Sequence, residues 1–150
     1  MAIECFQSKR FVLLSGTLCS SEVFDEFLDF VGVEPARRVP VCLEYPQVEA
    51  YLPVLNELVR RGDVVCGFSL GAIVAAHLAN QLEASALLLF GLNPFADDPN
   101  KASGRRALAQ AVKTQGGRAS MESRLPTVFG PTPERAIELI LRMADSTAKY

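Results

Sequence analysis

Hydrophobic positions along the chain change period several times, and each change predicts an element. Phe11-Val12-Leu13-Leu14 is a continuous apolar run that ends at Ser15-Gly16. Short runs of this kind suit strands buried on both faces of a parallel sheet. After Ser20-Ser21-Glu22, an N-cap type of start, Val23, Phe24, Phe27, Phe30 and Val31 recur at helical spacing. Gly32 is then the expected C′ residue. Val39 to Leu43 reads as a second strand whose Pro40 cannot donate to a ladder, which places it at a sheet edge. Val48, Tyr51, Leu52, Leu55, Leu58 and Val59 mark one face of a second helix that begins or kinks near Pro53 and ends at Arg61-Gly62-Asp63. Val64-Val65-Cys66 is a third short strand, Leu70 to Gln81 an alanine-rich third helix, and Ala86 to Phe90 an almost wholly apolar fourth strand.

Strands alternating with helices mean crossover units and a parallel sheet, here about four strands with three crossing helices by Gly91. The pattern changes at Asn93-Pro94. After a polar turn, Ala96 to Asn100, a basic helix runs around Ser103 to Thr114 and breaks at Gly116-Gly117. Thr132-Pro133-Glu134 starts another, with proline at the first helical position and Ile137, Ile140, Leu141 and Ala144 on one face. The chain is therefore expected to be an α/β domain over residues 1–93 followed by a helical segment over 94–150.

With 49% hydrophobic and 21% charged residues in 150, the chain has the apolar material for a real core. Its net charge of -2 is spread without any basic block, which argues against nucleic acid and anionic membrane as partners. No apolar run reaches the roughly 18 residues of a transmembrane helix. The first ten residues are too polar for a secretory signal, so a cytoplasmic protein is expected. Four cysteines (Cys5, Cys19, Cys42, Cys66) without a C-x-x-C pair, and a single histidine, predict free thiols and neither a metal site nor a cofactor.

The chemistry concentrates at Gly67-Phe68-Ser69-Leu70-Gly71, a G-x-S-x-G pattern. Five residues with three fixed are cheap by themselves. The apolar strand entering and the small-residue helix leaving supply the strand-turn-helix setting that the motif requires. There the serine sits on a sharp turn, its flanking glycines let helix and strand pass closely, and its Oγ projects above the carboxyl end of the sheet. The helix start beneath it favours negative charge in a transition state. The loop Ser15-Gly16-Thr17-Leu18-Cys19 follows the neighbouring strand. Its Thr17 N–H, with that of Leu70, is the candidate oxyanion hole.

In these residues the chain resembles the α/β-hydrolase family, particularly small bacterial carboxylesterase-like members. The V-L-L-S-G-T-L-C loop, the G-F-S-L-G elbow and the L-N-P turn after the fourth strand fall in family order. Family members usually carry His-Gly where this chain has Ser15-Gly16. The resemblance implies a nucleophile at Ser69, an oxyanion hole at Thr17 and Leu70, and a helical cap after Asn93. It also implies a small-molecule ester or thioester as substrate.

The family's order continues with an acid and then a histidine on loops after later strands. His77 is the single histidine, and it lies eight residues beyond Ser69, about 12 Å along the helix axis. A general base must come within about 3 Å of the hydroxyl, so His77 is expected to be an ordinary helix residue. Asp97 and Asp98 read as a turn, and Arg105 and Arg106 as a charged helix face. The expectation is a C-terminally truncated hydrolase core, inactive or nearly so by itself, whose apolar edge at Ala86 to Phe90 invites self-association. Two alternatives stand beside it: a non-catalytic binding or assembly module on the same scaffold, and an acyl-carrier thioesterase.

Overall fold

A computed structural model describes residues 4–95, 98–125 and 134–148. The chain divides into two compact units, Met1–Thr17 with Ser21–Pro94, and Leu18–Ser20 with Phe95–Tyr150.

The first unit opens with a short helix α1 (Glu4–Gln7) and then builds a four-stranded sheet from β1 (Phe11–Leu14), β2 (Arg38–Val41), β3 (Val64–Phe68) and β4 (Ala86–Phe90). The strand order is β2-β1-β3-β4, and every pair is parallel. Helices α2 (Asp25–Phe30), α3 (Tyr51–Leu58) and α4 (Leu70–Leu78) make the three crossovers. This is the expected α/β architecture.

Alternation along the central strands divides the core into two layers. Val12 and Leu14 of β1 and Val65 of β3 pack with Tyr51 and Leu55 of α3 and Val74, Ala75 and Leu78 of α4. Phe11, Leu13, Val64 and Cys66 point the other way, toward Phe24, Leu28, Val31 and Val33 around α2. Both faces of β1 are therefore buried, which is why its sequence reads as a run and not as an alternation.

Local departures from the pattern have local causes. A 3-10 turn over Ser21–Phe24 precedes α2, and the stripe facing the core is Phe24, Leu28 and Val31, which are buried, with Phe27 half-buried beside them. Phe30, expected on that stripe, is 80% exposed, because at 100° per residue it sits about 120° round the helix from Phe24. Gly32, at φ 74°, closes α2 as predicted: its N–H donates to the Asp29 carbonyl (3.0 Å) and that of Val33 to the Leu28 carbonyl (2.9 Å).

β2 ends at Val41 instead of Leu43, because β1 stops at its register partner Leu14. Pro40 lies exposed on that edge strand. β3 runs two residues beyond Cys66, because β4 continues to pair with Gly67 and Phe68. Pro53 is the third residue of α3, where its missing N–H has no helical partner to lose.

In the second unit Asp98 caps α5 (Pro99–Gln115), its Oδ1 accepting from the N–H groups of Asn100 (2.8 Å) and Lys101 (2.9 Å), with Pro99 at the first helical position. The helix thus starts four residues before the predicted Ser103. Gly116 at φ 85° breaks it as expected, but the chain at once forms α6 (Gly117–Glu122), which no sequence signal announced. α7 (Glu134–Thr147) packs against α6 so tightly that a Cβ on Gly117 would stand 2.0 Å from the Ala144 carbonyl oxygen. Leu141, Met143 and Ala144 are its buried residues, and Ile137 and Ile140 are half-buried. Thr132 and Pro133 lie outside the described residues.

Candidate active site

β3 carries Val64, Val65 and Cys66 through the buried middle of the sheet and brings Gly67 and Phe68 to its carboxyl end. At Ser69 the backbone turns to φ 52° and ψ -110°, and α4 starts at the next residue. Among the described non-glycine residues only Leu18 shares a positive φ. Such backbone costs on the order of 1–3 kcal/mol and persists only where its surroundings over-determine it. They do so here. The Ser69 N–H donates to the Phe90 carbonyl (2.9 Å), and the Ser69 carbonyl accepts the first α4 bond from Ile73 (3.1 Å).

The flanking glycines are required by close approach. A Cβ on Gly67 would lie 2.7 Å from the Gly71 carbonyl oxygen and the Ala72 Cα. On Gly71 it would lie 2.0 Å from the Leu14 carbonyl oxygen. The first turn of α4 is therefore pressed against the ends of both β1 and β3. The loop after β1 closes the group, since a Cβ on Gly16 would lie 2.9 Å from Phe68 Cδ1 and 3.1 Å from Ser69 Cβ.

Three sequence-predicted features thus meet. Ser69 is half-buried, Leu70 is the exposed first residue of α4, and exposed Thr17 follows the glycine that touches Ser69. The first N–H groups of a helix have no intrahelical partner and carry the positive end of its dipole. The chemical character of the place is a hydroxyl beside backbone donors.

His77 does not join it. It is exposed on α4, its Nε2 3.2 Å from Glu49 Oε1 on the turn before α3. The Asp98 carboxylate is engaged in its helix cap, Asp97 lies outside the described residues, and Arg105 and Arg106 are exposed on α5. Cys66 is fully buried, and that burial pushes its thiol up to about 12. Cys42 is exposed; partial desolvation, with Glu44 beside it, also raises its pKa. Among the described residues no three His, Cys, Asp or Glu side chains converge as metal ligands do, and no helix is long and apolar enough to cross a membrane.

Pattern reading missed the phenylalanines around the serine. Phe68 lies in the elbow, and Phe90, its register partner on β4, is 38% exposed. Phe90 stacks edge-on against Phe27 (5.3 Å between centroids) and lies 6.4 Å from Phe24. In the sequence Phe24 and Phe27 read as positions of a helical stripe, Phe90 as the end of an apolar strand, and Phe68 as the variable residue of the motif. The available signal was position: two of them end strands beside the serine.

Comparison with known proteins places this arrangement. No family model and no curated relative matches the chain. Among solved structures it is similar to a carboxylesterase of the ammonia-oxidizing thaumarchaeon Nitrososphaera gargenis, with TM-score 0.73 and 13% identity over 95% of this chain and 62% of that one. It is also similar to a thermophilic esterase from Thermogutta terrifontis in its malate-bound form, with TM-score 0.69 and 22% identity over 95% and 60%. The likeness is one of fold. The bottromycin epimerase BotH, in complex with bottromycin A2, shares it at TM-score 0.61 and 18% identity over 93% and 63%. The four-stranded parallel sheet with its crossover helices is thus an α/β fold shared with these three proteins, and the chain spans about 60% of the length of these neighbours.

Proposed function

We infer that this chain carries the nucleophile half of a serine hydrolase acting on a carboxylic ester or thioester. The observation that carries the reading is the strained, doubly anchored backbone of Ser69, φ 52°, between β3 and α4. Strain of this kind concentrates at functional sites, and here it lifts a hydroxyl at the carboxyl end of the sheet. In the proposed reaction Ser69 Oγ attacks the carbonyl carbon, and the Thr17 and Leu70 amides hold the oxyanion. The alcohol or thiol leaves with a proton, and water then cleaves the acyl-enzyme to acid and free serine.

The base that takes the serine proton is assigned to groups outside these 150 residues, on further chain or on a partner, because His77 is committed to the opposite end of α4 beside Glu49. By itself the chain is then inactive or nearly so. The esterase folds at TM-scores of 0.73 and 0.69 support the reading. The epimerase on the same fold supports the rival, in which the scaffold serves binding or other chemistry. An acyl-carrier thioesterase would use the same serine.

Labelling by a fluorophosphonate probe, read by intact mass with imidazole added as an external base, tests this. The expected result is slow labelling that accelerates with imidazole and disappears in Ser69→Ala. Equal labelling of both proteins at every imidazole concentration would leave the binding-module reading in its place.

A further inference from the structure

We propose that Phe68 and Phe90, backed by Phe27 and Phe24, form the acyl-binding wall of this site and select substrates with an extended apolar or aromatic acyl group. The inference rests on the reading of Ser69 as nucleophile and deepens it. Phe68 and Phe90 are register partners at the carboxyl ends of adjacent parallel strands, so their side chains leave the same face of the sheet. Both strands end at the serine. Phe68 is its chain neighbour, and the Phe90 carbonyl binds its N–H at 2.9 Å.

The rings are held, not loose. Phe68 reaches from Gly16, whose Cβ would meet it at 2.9 Å, toward Gly91, whose Cβ would lie 3.7 Å from its Cε2. Phe90 packs edge-on to Phe27, and Phe24 behind them is 3% exposed. A side chain larger than hydrogen at position 16 would crowd the Phe68 ring, and a Cβ at position 91 would rest in ordinary contact with it. Even so, Phe90 keeps 38% of its surface accessible and Phe68 is half-buried. Rigid apolar surface left open beside a hydroxyl suits a ligand whose apolar part lies next to its reacting carbonyl. The wall is assigned to the acyl chain because that part stays bonded to Ser69 Oγ in the acyl-enzyme, after the alcohol or thiol has left.

The test uses N-methylamides, which mimic the ester without being cleaved, titrated into the chain and followed by NMR. N-methyl-2-phenylacetamide and N-methyloctanamide are expected to bind at least tenfold tighter than N-methylacetamide, since each buried methylene is worth about a fourfold change. Phe90→Ala should lose most of that preference. Phe30→Ala, removing a ring that is 80% exposed on α2, should retain it. Ser69→Ala should also retain it, so the wall is measured separately from the nucleophile. Wild-type labelling by the fluorophosphonate that does not depend on Ser69, with the acyl preference intact, would overturn the hydrolase reading alone. An acyl series with flat affinity, or one unchanged by Phe90→Ala in a protein with native circular dichroism, would overturn the wall, whatever Ser69 does. In that case the open rings serve as a seat for another polypeptide segment.

Discussion

Replacing Gly71 with alanine adds one methyl group at the tightest point of the first unit. The new Cβ would stand 2.0 Å from the Leu14 carbonyl oxygen, 2.4 Å from its carbon and 2.6 Å from the Ser15 oxygen. An ordinary carbon–oxygen contact needs about 3.3 Å, so α4 and β1 must separate by about 1.3 Å. Neither can yield cheaply. Leu14 is fully buried at the end of a central strand, and α4 is pressed against Gly67 of the neighbouring strand as well. Overpacking costs about 1–3 kcal/mol where side chains can adjust; with backbone on both sides the cost should be about 3 kcal/mol. At a urea slope of about 1–3 kcal/mol per molar, the midpoint falls by roughly 1 M or more. Gly104→Ala is the matched control. The position is exposed inside α5 with nothing within 4 Å of a Cβ, so the same methyl should stabilise by about 0.5–1 kcal/mol. Urea unfolding followed by far-UV circular dichroism reads both, and if the two units melt separately each variant shifts its own transition. A Gly71→Ala midpoint within experimental error of wild type would refute the close approach at the elbow.

The other expectations follow from single features. Ser69→Gly should be more stable than Ser69→Ala by about 1 kcal/mol, because only glycine relieves the positive φ; equal melting temperatures would mean the turn is unstrained. Leu28→Ala should cost about 2–5 kcal/mol, whereas Phe30→Ala should stay within about 0.5 kcal/mol, and comparable losses would restore the stripe that periodicity suggested. Cys66, whose thiol burial raises to about 12, should resist alkylation at pH 8 until urea unfolds the protein; peptide mapping of the native sample decides. The Arg118 guanidinium hydrogen-bonds Glu138 (3.2 Å) and holds its carboxyl below the usual carboxylate range. A depressed folded pKa means that its contribution is present above the unfolded value and is lost as pH falls through the folded one. An NMR titration of the Glu138 carboxyl should therefore shift upward in Arg118→Gln, and no shift would dissolve the pair.

The amino-acid sequence by itself determined the order of strands and helices, and it singled out Ser69. β1 was legible to the residue because a strand buried on both faces must be apolar throughout, and β4 because its five residues are apolar although they end half-buried at the sheet edge. Gly32 announced its turn because a positive φ restricts which residues can stand there. The G-x-S-x-G spacing marked the elbow for the same reason: where backbones touch, side chains are excluded, and exclusion leaves a trace in composition. Only the tertiary structure decided what depends on neighbours distant in sequence. It ended β2 at Val41 because β1 offers no partner beyond Leu14, and it extended β3 to Phe68 because β4 does. It turned Phe30 outward by the phase of one helix, and it placed His77 on Glu49. It also gathered Phe27, Phe68 and Phe90 from separate segments beside one serine. Whether an aromatic ring ends in the core or on the wall of a site is fixed by which strand ends stand next to each other.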